Sequence, residues 1–389
     1  MENKVSKKKK QKSTFRKIND WLHLWLGLVS GIIVFIVSIT GCFYAFEQEV
    51  KDATEPWRFV KQQDVPFVPP SQLLDTAKVY MPKEKPTGLT YSNAEGAAAV
   101  GYSYYVNEKR NFTAIFINPY TGKFIKKEHS LGSNDFNFFR FIIDGHRALW
   151  LPYDIGRPIV GVFTLIFLFM LISGLIMWWP KNFKKSNLKK SFKIKWNAKI
   201  KRINYDLHNV LGFYSLIFAL VLAITGLVMS FEWFADSVYY VTSAGEERPE
   251  HHHPHSDVNY ANLVANNSSY SLDKAWYATR IQEMDAQGFY MTPILKDDDD
   301  AIEIIAFQDN KSYYNKNEYY YDQYTLKPLR MKGDRYEEAD FSDQLTMLNY
   351  DIHIGAALGL TGKIFAFFIS LICASLPVTG FIVWLSKKK

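Results

Sequence analysis

Lys17-Ile18-Asn19-Asp20-Trp21-Leu22-His23-Leu24-Trp25-Leu26-Gly27 and Arg202-Ile203-Asn204-Tyr205-Asp206-Leu207-His208-Asn209-Val210-Leu211-Gly212 read as one stretch written twice. The match continues downstream, where Ile39, Thr40, Gly41, Phe46 and Glu47 recur as Ile224, Thr225, Gly226, Phe231 and Glu232. The offset is constant at 185, the interval from His23 to His208. Each copy sets a histidine at the charged end of a membrane-length apolar run, so two like halves each offer one imidazole at the same depth. Two imidazoles can hold a metal centre.

A bilayer core of ~30 Å takes roughly 20 apolar helical residues to cross. Residues 24–46, 159–179, 210–231 and 364–385 qualify. The chain of 389 residues is 48% hydrophobic and 16% aromatic yet 22% charged, which implies a membrane protein with large polar parts. Lys and Arg beside short loops stay on the cytoplasmic side. Lys7–Lys10, the basic connection 181–202 and Lys387–Lys389 therefore place both termini and the central loop in the cytoplasm, with 47–157 and 232–354 outside. The net charge of +7 is this topological signal and gives nucleic-acid binding no support.

The expected order is a basic cytoplasmic tail (1–16), a first span (17–47), a first external domain (48–140) and an external His segment with the second span (141–180). A basic cytoplasmic loop (181–203), a third span (204–234), a second external domain (235–342), an external His segment with the fourth span (343–386) and a cytoplasmic tail (387–389) follow. Ile39-Thr40-Gly41-Cys42 has the outline of a lipoprotein cleavage box, but the apolar run is long for a cleaved signal, and Ile224-Thr225-Gly226 repeats it without a cysteine. Cys42 and Cys373 both fall in apolar runs and read as small buried residues, with no external cysteine to make a disulfide framework.

Phe116–Lys123 aligns with Tyr320–Lys327 at an offset of 204, from Asn118 to Asp322. Both read as hairpins, with strands at 98–106 and 301–307 and helices at 71–80 and 271–287 ahead of them. Asp144-Gly145-His146 matches Asp351-Ile352-His353, and Gly174 and Trp178 match Gly380 and Trp384. The fold class expected is a membrane α-helical protein of four transmembrane helices in two parallel internal repeats, with two extracytoplasmic α+β domains.

Four histidines occupy matched positions beside the spans. His23 and His208 stand at the cytoplasmic ends, and His146 and His353 precede the returning spans outside. Ligands on opposite sides of a membrane cannot share one iron, so the pairs are His23 with His208 and His146 with His353. Zinc wants four ligands, or three and water, whereas a haem needs two axial groups. Two imidazoles at each level point to bis-His haem b, two per chain, and the absence of Cys-x-x-Cys-His excludes covalent attachment.

Other residues leave two readings open. Gly27, Gly31 and Gly212 suit close helix packing or a flat macrocycle. Lys17, Arg202, Arg147 and Arg157 suit haem propionates or an ordinary membrane edge. Asp144, Asp206 and Asp351, each two positions before a candidate ligand, suit a neighbouring helix's His or Arg, or an N-cap. Trp21, Trp25, Trp150, Trp178, Trp179, Trp233 and Trp384 form an expected interfacial belt. His251-His252-His253-Pro254-His255 reads as a loop tract and Asp297–Asp300 as a solvated turn lacking EF-hand spacing.

Leu22-His23 with Gly27 and Ile39-Thr40-Gly41, its copy Leu207-His208 with Gly212 and Ile224-Thr225-Gly226, Thr121-Gly122 in a hairpin, and Ser173-Gly174-Leu175-Ile176-Met177-Trp178-Trp179-Pro180 closing a span together resemble the PepSY-associated transmembrane family. The resemblance runs from about Lys17 to Lys387. It implies an iron-regulated inner-membrane protein of the ferric-siderophore reductase type, with haem ligation by His23, His208, His146 and His353 and external domains that form or cover the outer site. Some relatives carry a flavin reductase domain after the last span. With the chain ending at Lys389, the expected donor is a separate cytoplasmic reductase or a membrane quinol. Leu326, in place of the hairpin glycine, and Pro152, Gly156 and Pro158 after His146 depart from the pattern.

The activity expected is one-electron transfer from the cytoplasmic side through an inner and an outer haem to an external acceptor, since tunnelling weakens steeply across a bilayer. Ferric siderophore or another ferric chelate is the favoured acceptor, because reduction weakens binding by hard oxygen ligands. A permease for iron chelates would want broken helices and midplane charges, of which the spans have few. A non-enzymatic regulatory or binding module would leave the histidines incidental.

Overall fold

The computed structural model describes residues 13–107, 109–131, 136–180, 191–249, 253–263, 268–295, 297–309, 311–331 and 333–388. Lys7–Lys10, residues 181–190 of the expected basic loop, His251 and His252 lie outside them. The named elements run α1 (Thr14–Tyr44), α2 (Glu47–Thr54), α3 (Pro70–Tyr80), β1 (Gly88–Tyr91), β2 (Ala98–Val106), β3 (Lys109–Ile117), β4 (Phe124–Leu131), α4 (Phe138–Ala148) and α5 (Tyr153–Trp178). The same order then returns: α6 (Ile200–Ser230), α7 (Glu232–Thr242), α8 (Ser268–Gln282), β5 (Gly288–Met291), β6 (Ala301–Phe307), β7 (Lys316–Asp322), β8 (Pro328–Leu329), α9 (Phe341–Ile354) and α10 (Gly359–Lys388).

Four helices, Thr14–Tyr44, Tyr153–Trp178, Ile200–Ser230 and Ala356–Ser386, are long and apolar enough to cross a membrane. The chain is a multi-pass membrane protein. It forms two compact units, a helical one made of the residues through Tyr44, Ile142–Glu232 and the residues from Ile364 on, and a polar one made of Ala45–Phe141 and Trp233–Lys363.

In the helical unit α5 packs on both α1 and α6. Leu171 of α5, Leu216 and Ala219 of α6, and Ile369 and Cys373 of α10 make a buried cluster. On the other side, Gly31 of α1 lets Pro377 of α10 approach, its Cβ position being 3.3 Å from the proline Cβ. Cys42 and Cys373 are buried free thiols. Trp178 departs from the expected belt. It is buried, stacks on Phe213 at 3.7 Å and donates through Nε1 to Ser191 O, because its indole faces a neighbouring helix rather than lipid.

The polar unit holds one eight-stranded antiparallel sheet in the order β4-β3-β2-β1-β5-β6-β7-β8. The two segments expected as α+β domains contribute strands to this one sheet: β1 pairs with β5 through Leu89–Met291, Thr90–Tyr290 and Tyr91–Phe289. Each four-stranded half alone would leave a short inner strand with unpaired backbone groups, and joining them removes both edges. The core is likewise shared, since Tyr91 and Trp276, both fully buried, stack at 4.8 Å. Asp273 of α8 also accepts from Ser71 of α3 through its backbone and side chain. Alternation explains the strands, for Ile302, Ile304 and Ala306 point inward while their neighbours do not.

The two hairpins adopt the same turn. Asn118 Oδ1 accepts from Tyr120 N and Thr121 N, and Asp322 Oδ1 accepts from Tyr324 N and Thr325 N. Gly122 and Leu326 follow in the left-handed region at φ 66° and 59°. Leucine bears the steric penalty of that region, and its side chain offsets it by packing against the core.

Candidate metal centre

His23 of α1 and His208 of α6 meet inside the helical unit, with ring centres 6.4 Å apart and planes at 80°. An imidazole nitrogen binds a first-row metal at about 2 Å and its ring centre lies roughly 1.2 Å farther, so two rings on opposite sides of one metal have centres about 6.3 Å apart. The observed spacing matches that arrangement.

Each ring is held by the returning helix of its own half. His23 Nδ1 lies 2.6 Å from Ser173 Oγ of α5, and His208 Nδ1 lies 3.0 Å from Thr379 Oγ1 and 3.1 Å from Leu376 O of α10. A carbonyl only accepts, so His208 Nδ1 carries the proton. Ser173 Oγ donates to Met170 O at 3.1 Å and so is free to accept from His23 Nδ1–H. Both rings thereby present an unprotonated Nε2, the state a metal needs.

The supporting contacts are matched as well. Asn19 Nδ2 donates to Ser173 O at 3.2 Å and Asn204 Nδ2 to Thr379 O at 2.9 Å. Both asparagines are buried one helical turn before their histidines. A Cβ on Gly174 would lie 3.3 Å from His23 Cε1, and one on Gly380 would lie 3.1 Å from His208 Cε1. A π-turn at Leu207–Leu211 encloses His208, a distortion that recurs at functional positions.

Ser173, Thr379, Asn19 and Asn204 were legible only as members of the repeat. Ser173-Gly174 and Thr379-Gly380 share the spacing of Trp178 and Trp384, which was the available signal. Conversely, Gly27, Gly31 and Gly212 face Met170, Pro377 and Leu376 and serve helix packing. Among the described residues no three or more His, Cys, Asp or Glu side chains gather as a metal site of their own.

His146 of α4 also belongs to the helical unit. It donates from Nδ1 to Val37 O at 2.8 Å, and a Cβ on Gly41 would lie 3.1 Å from its Cε1. His353 lies half-buried near the end of α9 in the polar unit.

The flanking charges have local partners. Buried Asp206 faces Arg202 Nη2 at 2.7 Å and accepts from Lys195 N. Arg147 donates to Tyr153 OH and Arg157 to Met229 O, whereas Lys17 is exposed. Asp144, Asp206 and Asp351 sit inside helical segments rather than at N-caps, and the cap of α9 is Asp340, which accepts from Ser342 N and Asp343 N. Asp351 accepts from Tyr313 N at 3.0 Å, and burial pushes its carboxyl above the usual range. In the loop tract, His253 lies against Tyr320 and His255 Nδ1 is 3.1 Å from Asp299. Asp297 N donates to Asp300 Oδ2 within its turn.

A family model described as the PepSY-associated TM region matches residues 21–387. The chain belongs to this family. The PepSY-associated match covers His23, His208 and both segments of the polar unit. Among curated proteins none matches the chain.

Proposed function

We propose that this PepSY-associated protein is a haem-containing transmembrane electron-transfer protein of the bacterial inner membrane, with cytoplasmic termini and its polar unit outside. It passes electrons outward to a ferric siderophore or another ferric chelate. The observation that carries the reading is the approach of His23 and His208 to 6.4 Å with each Nδ1 engaged by the returning helix of its half.

Haem b, when bound, supplies a one-electron carrier that no side chain here could replace. His23 and His208 would hold the inner haem, and His146 and His353 would serve an outer one. Ser173 and Thr379 hold the inner rings in the ligating tautomer. Gly174 and Gly380 keep the ring edges clear. The donor is a separate cytoplasmic reductase or a membrane quinol.

Purified protein is expected to have a Soret band and two haems per chain by pyridine haemochrome assay. His23→Ala and His208→Ala each remove one haem and leave the other. Absence of haem, or spectra indifferent to both substitutions, overturns the reading. Reduction of ferric chelates by membrane vesicles, abolished in the same variants, tests the acceptor.

A further inference from the structure

We propose that Ser173 and Thr379 are positioning residues that lock the two inner imidazoles with their planes near perpendicular, so that the inner centre is a highly anisotropic low-spin site. This rests on the haem reading above and adds what the side chains around the ligands do to it.

The hydroxyls are themselves fixed in direction. Ser173 Oγ sends its proton to Met170 O, and Thr379 Oγ1 sends its own to Ser375 O at 2.9 Å or Leu376 O at 3.1 Å. Each oxygen can then only accept from the ring, so rotation of each imidazole about its Cβ–Cγ bond moves Nδ1–H away from a partner in an apolar setting, where a lost hydrogen bond is costly. Asn19 and Asn204 tie the backbone carbonyls of the same two residues to the ligand helices. Ring, hydroxyl and helix are therefore held together. The angle that results is 80°.

That angle has a spectroscopic consequence. Parallel axial imidazoles act on one of the two iron orbitals of π symmetry and split the pair, giving a rhombic three-line resonance in the ferric low-spin state. Perpendicular imidazoles act on both orbitals alike and leave the pair nearly degenerate, giving one strongly shifted low-field feature. Donation from Nδ1–H also makes each imidazole a stronger ligand, which favours ferric iron and lowers the midpoint potential.

The halves differ in one respect that sharpens the test. His23 has Ser173 as its acceptor, whereas His208 has Thr379 and also Leu376 O. Loss of the Ser173 hydroxyl frees its ring, and loss of the Thr379 hydroxyl leaves His208 anchored.

The experiment is low-temperature electron paramagnetic resonance on the oxidised, haem-loaded full chain, with haem content and midpoint potential measured on the same samples. The inner signal is the one lost in His208→Ala. The parent is expected to show it as a single strongly shifted feature. Ser173→Ala keeps its haem, turns this signal toward the rhombic form and raises the inner midpoint potential. Ser173→Thr restores the parent signal, and Thr379→Val changes it less than Ser173→Ala does. A rhombic inner signal in the parent, or a Ser173→Ala signal and potential equal to the parent's, overturns the inference while the ligand assignment stands. Loss of the haem reading itself would appear differently, as no haem or as His-independent spectra.

Discussion

Replacing Gly156 by alanine tests whether the corner between α4 and α5 holds His146 in place. An ideal Cβ on Gly156 would lie 2.1 Å from Ala148 O and 2.7 Å from Ala148 C and Cα. These are backbone atoms two residues beyond His146, so no side-chain rotation can relieve the overlap. The corner is already constrained, since Leu149 and Trp150 both have positive φ, at 53° and 59°. Overpacking of this kind costs about 1–3 kcal/mol. If the corner opens, the bond from His146 to Val37 O goes with it, at about 0.5–1.5 kcal/mol. The sum is about 1.5–4.5 kcal/mol, which at roughly 2–4 °C per kcal/mol lowers the melting temperature by about 3–18 °C. Gly212→Ala is the control, because its Cβ would find Leu376 Cδ2 at an ordinary 3.6 Å and alanine is the better helix former. Melting of the detergent-solubilised full chain, followed by tryptophan fluorescence alongside haem content, reads both variants. A Gly156→Ala protein that melts with the parent and keeps its full haem content refutes the reasoning about the corner.

Other perturbations probe the remaining parts. Lys363 is buried and pairs with the half-exposed Glu49 at 2.8 Å, so Glu49→Leu strands a charge and costs about 3–5 kcal/mol. Adding Lys363→Met should recover most of the loss, and a double variant no more stable than Glu49→Leu argues against the pair. At Asp322 burial alone would raise the carboxyl, but bonds donated by Thr325, Asp257 and Tyr324 outweigh it and hold the group below its ordinary range. A group depressed in this way stabilises the fold above its unfolded value of about 3.9 and loses that contribution as the pH falls through the lower folded value. Asp322→Asn is therefore expected to lower stability at neutral pH by about 1–3 kcal/mol and to flatten the acid limb of the stability curve, and an unchanged limb would count against it. The spectra of His23→Ala and His208→Ala and the resonance of Ser173→Ala complete the set.

Much of the architecture could be read before any coordinates. The four apolar runs fall on the four spans because length and hydropathy are local properties. Strands 98–106 and 301–307 match β2 and β6 because alternation is local too. The helix expected at 271–287 instead runs Ser268–Gln282, since an apolar periodicity does not mark where a helix frays. The pairing of His23 with His208 was legible because a repeated sequence places its copies at one depth. Its supporting hydroxyls were not, since a serine or threonine inside an apolar span usually bonds the carbonyl one turn back, as Thr40 and Thr225 do. Nothing local separates those from Ser173 and Thr379.

From the order of residues alone come the spans, the duplicated segments and the matched positions of His23 and His208, all properties read segment by segment. The fold itself had to decide that two polar segments share one sheet through Thr90 and Tyr290. It also decided that Gly174 and Gly380, not Gly27 and Gly212, face the rings, and that the rings stand at 80°. Each of these joins residues about 150 or more positions apart, where packing geometry rather than local pattern selects the partner.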